Sequence, residues 1–148
     1  MQLFALIVAV CVGALLPLQA LVNARLGQLT FGALFASLAS FAVGTTALLV
    51  LWMAWRPAVG GSMPVAPWWA WTGGLIGAAF VVAATVLVPR LGAAVLICLV
   101  VFGQLAGSLL LDHFGVLHPR QPADALKIVG MALVAVGMLL VVRPWQGS

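Results

Sequence analysis

Four neutral polar side chains interrupt otherwise apolar stretches of this 148-residue sequence. Gln19 and Asn23 are four residues apart in the first stretch, and Gln104 and Ser108 are four apart in a later one. Residues four apart share one face of a helix, so each pair can present its polar groups together. Amides and hydroxyls both donate and accept hydrogen bonds, which suits weak binding of a neutral or zwitterionic solute better than binding of a bare cation. We predict that these four residues contact a substrate; for Gln19 and Asn23 the alternative is ordinary wetting of a helix end.

Two charged residues border these stretches. Arg25 can attract a carboxylate or phosphate, although anchoring a helix end among lipid headgroups is the simpler role. Asp112, with His113 and His118 nearby, can support a proton-linked step, although a solvated carboxylate at a helix end needs no such role. We keep Arg25 and Asp112 as candidates for a gate or a coupling group.

The same residue types argue against an enzyme or a metalloprotein. Catalysis needs clustered acid, base or nucleophile groups, and no such cluster occurs inside the apolar stretches. The two cysteines lie far in sequence from both histidines, so no metal-ligand spacing exists. We therefore expect no metal site and no cofactor.

The composition requires an integral membrane protein. Hydrophobic residues make up 66% of the chain and charged residues only 5%, with a mean hydropathy of +1.29. A soluble domain carries about 25% charged residues. The net charge of +4 does not indicate a nucleic-acid partner, because the six basic residues are scattered singly. The partner that this composition predicts is the lipid bilayer.

Five apolar runs are each long enough to cross a bilayer as a helix. We predict one transmembrane domain over residues 1–148, with spans at about 3–22, 31–55, 68–88, 92–111 and 126–142. Pro17 should kink the first span, and a short turn should follow over Leu26–Thr30. The sequence from Pro57 to Pro67 is too rich in proline and glycine for a helix, and tryptophans flank it as they do at membrane interfaces.

Small residues mark faces where helices can pack closely. Gly73 and Gly77 lie four apart in the third span, and Gly103 and Gly107 do so in the fourth. Such pairs let a second helix backbone approach. The turn between these spans is short, so we expect them to be antiparallel neighbours, although either pair could instead face another subunit.

The basic residues at the span ends do not determine the orientation of the chain in the membrane. Three basic residues fall on each side of five spans: Arg56, Arg120 and Lys127 on one, and Arg25, Arg90 and Arg143 on the other. The positive-inside rule therefore gives no bias. A chain inserted both ways can pair with its own inverted copy, which would reproduce the inverted-repeat architecture of many transporters, with the site at the midplane.

Four segments carry a family resemblance: ALLPLQALVNARLG, ASLASFAVGT, PWWAWTGGLIGA and LVPRLGAAVLICLVVFGQLAGSLLLDHFG. From about Ala14 to Val142 the chain resembles the half-size, five-helix bacterial members of the drug/metabolite transporter superfamily, the YdcZ-like group with a single EamA-like repeat. The resemblance implies an all-α bundle equivalent to half of a ten-helix transporter, in the bacterial inner membrane. It also implies a dimer, with a second copy or with a paralogous half-transporter.

One departure from relatives in that superfamily matters for the solute. Small multidrug-resistance exporters of similar size use a glutamate in the first span to exchange protons for cationic drugs, whereas no acidic residue lies in any span interior here. Proton-coupled export of lipophilic cations is therefore disfavoured.

We expect a transporter of a small polar metabolite. The alternative is an accessory membrane subunit that carries no solute, which the glycine faces would serve equally well.

Overall fold

The computed structural model describes residues 2–55, 66–117 and 119–143. Within these ranges the chain forms five α-helices and no strand: α1 (Gln2–Leu29), α2 (Ala33–Trp55), α3 (Gly73–Leu91), α4 (Ala93–Phe114) and α5 (Ala125–Val142). A 3₁₀ turn at Trp68–Thr72 leads into α3. All five helices are long and apolar enough to cross a membrane, which confirms the prediction of an all-α protein with five spans. Most of the predicted loop from Pro57 to Pro67 lies outside the described residues, as do Arg56 and His118.

The first helix is longer than the sequence predicts. α1 continues past the predicted span end at Val22 to Leu29, so the prediction of a turn beginning at Leu26 is wrong. Polar residues at a span end can remain helical where they reach the headgroups and water, because the helix satisfies its own backbone hydrogen bonds. The helix ends at Leu29, and the hydroxyl of the next residue, Thr30, donates a hydrogen bond to the Leu26 carbonyl oxygen at 2.6 Å. Pro17 lies inside α1 and does not end it.

Two glycines permit the tight reversal between α1 and α2. Gly32 has a φ of 98°, in the left-handed region that favours glycine, and its N–H donates to the Gly27 carbonyl oxygen at 3.2 Å. A Cβ on Gly27 would lie 3.2 Å from the backbone nitrogen of Ala33. The absence of a side chain at Gly27 thus lets the start of α2 pass close to the end of α1, and α2 then packs along α1.

The chain divides into two compact units, Met1–Arg90 and Leu91–Ser148, called here the N-terminal unit and the C-terminal unit. The N-terminal unit contains α1, α2 and α3, and its buried apolar side chains are small: Ala20, Ala24, Ala36, Ala84 and Val88. Small side chains let helix backbones approach closely, which is how helices associate in a bilayer that offers no hydrophobic driving force between them. In the C-terminal unit, α5 packs against α4.

The connection between α4 and α5 folds back onto the end of α4. Gly115 ends α4 with a φ of 68°, and its N–H donates to the Asp112 carbonyl oxygen at 3.2 Å. That same oxygen accepts from the Gln121 N–H at 2.9 Å, and the Arg120 Nε donates to the His113 carbonyl oxygen at 2.8 Å. These hydrogen bonds satisfy carbonyls that a helix end leaves without partners, and they bring the start of α5 back beside the end of α4.

Candidate functional site

One polar side chain on each helix of the N-terminal unit is almost wholly buried. The exposed fractions are 4% for Asn23 on α1, 3% for Ser37 on α2 and 2% for Thr85 on α3. The Ser37 hydroxyl donates to the Ala33 carbonyl oxygen at 2.8 Å, and the Thr85 hydroxyl donates to the Val81 carbonyl oxygen at 2.7 Å. Both hydroxyls are therefore satisfied within their own helices and need no further partner.

Asn23 differs from the two hydroxyl residues. Its side-chain nitrogen, Nδ2, is buried and has no hydrogen-bond partner among the residues that the structure describes. Leaving a buried donor unpaired costs about 1–3 kcal/mol. Native structures rarely carry such a group without a reason, so Asn23 is the buried polar residue of this unit that most needs a functional explanation.

Gln19 and Asn23 share a helix face in the sequence analysis, but the structure gives them different surroundings. The Gln19 side chain is exposed one turn before Asn23. Gln104 on α4 is exposed as well, and it lies one turn before Ser108. Gln19 and Asn23 belong to the N-terminal unit, and Gln104 and Ser108 belong to the C-terminal unit. The role of these four residues in binding stays a prediction.

A small cavity lies at the end of α1 within the N-terminal unit. Its volume is about 220 Å³, and Leu21, Ala24, Arg25, Gln28, Val88 and Pro89 line it. The Arg25 Nη1 donates to the Gln28 Oε1 at 3.3 Å, so the amide helps to hold the guanidinium at the cavity. Gln28 is absent from the sequence-based candidates, because its spacing of three from Arg25 matters only if α1 continues as far as Leu29.

A larger groove runs between α4 and α5 in the C-terminal unit. Its volume is about 450 Å³, and its polar lining residues are Ser108, Asp112 and Lys127. Two of these, Ser108 and Asp112, are predicted site residues, and the structure brings them together. In the sequence, Lys127 is only a charge at a span end. Asp124 fixes the start of α5 by accepting a hydrogen bond from the Lys127 backbone N–H at 2.8 Å, and this cap places the lysine in the first turn of α5.

His113 has a structural contact in the described part of the chain. Its Nδ1 accepts a hydrogen bond from the Ala123 backbone N–H at 3.3 Å, so the imidazole stabilises the loop before α5. The predicted proton-linked grouping also included His118, which lies outside the described residues. Across residues 2–55, 66–117 and 119–143, no three His, Cys, Asp or Glu side chains come together as a metal site would require.

The predicted packing glycines are mostly open. A Cβ added at Gly73, Gly103 or Gly107 would meet no described atom within 4 Å, whereas one at Gly77 would lie 3.7 Å from the Phe41 ring. Space therefore exists on these faces for a further helix, and their packing role stays a prediction.

The comparison with known proteins gives one match. The chain matches the family model described as "Putative inner membrane exporter, YdcZ" over residues 4–140, nearly its whole length. No curated protein and no solved structure matches the chain significantly.

Proposed function

Because this chain belongs to the YdcZ family of the drug/metabolite transporter superfamily, we propose that it exports a small polar metabolite across the bacterial inner membrane. The family description and the five apolar helices support a multi-pass membrane transporter in general. The solute class and the assembly are our proposals, and the residues described above supply the support for them.

The observation that carries the proposed solute class is the unpaired amide of Asn23. Its buried Nδ2 lacks a partner among the described atoms, while the other two buried polar side chains of the N-terminal unit, Ser37 and Thr85, are satisfied. In a conformation that opens the packing around Asn23, as alternating access requires, a solute that presents a carbonyl or carboxylate oxygen would complete the hydrogen bond. The binding would be weak enough for release, because one neutral hydrogen bond contributes about 0.5–1.5 kcal/mol net.

The acidic residues favour a neutral or zwitterionic solute over a cation. The sequence has two acidic residues, Asp112 and Asp124. Asp112 lies in the last turn of α4, and Asp124 caps the start of α5, so both are at helix ends. No carboxylate is therefore available at mid-membrane to neutralise a desolvated cation, whose burial without a partner is costly.

We also propose that the working transporter is a dimer, formed with an inverted second copy or with a paralogous half-transporter. Equal numbers of basic residues on the two sides give no orientation bias, so both insertions are available. The open glycine faces on α3 and α4 leave room for a partner helix. A site at the midplane between two inverted halves is the arrangement that many transporters build by internal duplication.

Export can be tested with a matched pair of buried-site variants. Cells that express the wild type, Asn23→Leu or Ser37→Ala are compared by mass spectrometry for small polar metabolites inside the cells and in the medium. We expect the wild type and Ser37→Ala to move at least one solute into the medium, and Asn23→Leu to lose that effect. Ser37→Ala is the control, because it removes a buried hydroxyl that already has a partner in its own helix.

Membrane level and oligomeric state of each variant are measured beside export. If Asn23→Leu exports as well as the wild type, Asn23 is not the solute contact. If no solute moves in any strain and the chain co-purifies with a different membrane protein, the accessory-subunit alternative replaces the proposal.

A further inference from the structure

The groove between α4 and α5 continues along most of the two helices. The 450 Å³ groove beside Asp112 and a second cavity of about 350 Å³ farther along share Val134 as a lining residue. We call the two together the α4–α5 seam. From Asp112 to Ile97 the seam extends about 22 Å at the rise of an α-helix. Half of a hydrocarbon core spans about 15 Å, so the seam is long enough for one lipid acyl chain.

Two glycines of α5 leave space in the α4–α5 seam, because they have no side chains to fill it. Gly130 lines the first cavity and Gly137 the second. A Cβ at either position would meet no described atom within 4 Å. An empty apolar space of this size forfeits dispersion contacts along its walls, whereas a bilayer offers hydrocarbon chains at the same depth to fill it.

The charged residues of the seam lie at one end. Asp112 is in the last turn of α4 and Lys127 in the first turn of α5, next to the loop that joins the two helices. Apart from the Ser108 hydroxyl one turn deeper, the side chains that line the first cavity farther in are apolar: Leu105, Leu109, Met131 and Val134. Charges at a helix end and an apolar groove leading away from it match the orientation of a phospholipid, whose headgroup lies at the interface and whose chains run inward.

From this geometry we infer that the α4–α5 seam binds a phospholipid whose headgroup carries both a primary ammonium and a phosphate. The Asp112 carboxylate attracts the ammonium, and the Lys127 ammonium attracts the phosphate. Phosphatidylethanolamine is the simplest lipid of this class. Phosphatidylglycerol has no cation for Asp112, and the quaternary ammonium of phosphatidylcholine has no N–H to donate to a carboxylate.

The test uses the full chain, purified in mild detergent, stripped of lipid and titrated separately with each of these three lipids. Native mass spectrometry counts the lipids that the protein retains. For the wild type we expect retention of phosphatidylethanolamine to exceed that of phosphatidylglycerol about fivefold. An exposed ion pair such as that between Asp112 and the lipid ammonium contributes about 1 kcal/mol, which corresponds to this ratio. Asp112→Asn should reduce this ratio towards one, because it removes the carboxylate that only the ammonium of phosphatidylethanolamine contacts. Lys127→Gln should instead lower retention of all three lipids, because each of them carries the phosphate that Lys127 attracts.

A second pair of variants tests the groove independently of the charges. Gly137→Leu should lower retention of all three lipids, because the leucine side chain fills the second cavity. Gly13→Leu on α1 is the matched control: a Cβ there also meets no described atom within 4 Å, and Gly13 lines neither cavity of the seam. We expect this control to retain lipid like the wild type.

Two results would overturn the inference. One is equal retention of phosphatidylethanolamine and phosphatidylglycerol by the wild type. The other is a Gly137→Leu protein that keeps its lipids but loses its dimer, which the same spectra record as a change in mass. That result would assign the seam to a second copy of the chain.

Discussion

Replacing Asn23 with leucine should stabilise the protein while it abolishes export. The side-chain Nδ2 of Asn23 is buried, with 4% of the residue exposed, and it has no partner among the described atoms. An unpaired buried donor costs about 1–3 kcal/mol, and leucine removes that donor. Leucine must still fit the space that the amide occupies on α1, near Ala20 and Ala24. We therefore expect the free energy of unfolding to rise by about 1 kcal/mol, the lower limit of that range. Higher stability with lost activity is the signature of a polar group retained for function.

The free energy of unfolding can be measured by titrating the protein from mild detergent into SDS and following its helicity by circular dichroism. Ser37→Ala serves as the reference, because Ser37 is equally buried but its hydroxyl already donates to the Ala33 carbonyl oxygen. We expect that variant to stay within about 0.5 kcal/mol of the wild type. If Asn23→Leu instead lost more than about 1 kcal/mol, the amide would be bonded within the folded protein, and the case for a solute contact would fail.

Two further predictions concern the joint between α4 and α5, and both use the SDS titration. Gly115→Ala should destabilise the protein by about 2 kcal/mol, because Gly115 has a φ of 68° and the new Cβ would lie 3.0 Å from the Arg120 Cβ. Gly13→Ala, in an open helix interior, should instead gain about 0.5–1 kcal/mol, so equal stabilities for the two variants would contradict this explanation. Asp124→Ala should cost about 1 kcal/mol by removing the cap on the Lys127 N–H, whereas Asp124→Asn, which keeps an accepting oxygen, should cost much less.

The sequence predicts the five spans well because twenty apolar residues in a row have few alternatives to a membrane helix. It predicts helix ends less well, and α1 shows the physical reason. Hydropathy falls at Asn23, where the chain approaches polar surroundings, but the helix continues to Leu29 because no residue between Asn23 and Gly32 adopts a left-handed backbone conformation. Hydropathy records where the apolar residues end, whereas backbone conformation determines where the helix ends.

Some residues of the candidate site can likewise be predicted from the sequence, and others cannot. Asn23 and Ser108 stand out in sequence because polar groups are rare inside apolar runs, and that signal does not depend on tertiary structure. Thr85 is the uncharged polar residue within the apolar run of α3, and the same signal could have found it. The approach of Lys127 to the groove of Asp112 could not be found this way, because it depends on the fold of the loop between α4 and α5, which Gly115 and the cap at Asp124 determine together.

We propose that this chain is half of a transporter, and cysteine accessibility tests most directly whether a copy inserted the other way completes it. Single cysteines replace Thr30, which follows one span, and Gln121, which follows four, in a Cys11→Ala, Cys98→Ala background; both positions are exposed. An impermeant thiol reagent is applied to intact and to lysed cells. We predict that about half of the chains are labelled from outside at each position, because the basic residues give no orientation bias. Full labelling at one position and none at the other would contradict the inverted homodimer and would require a different partner chain.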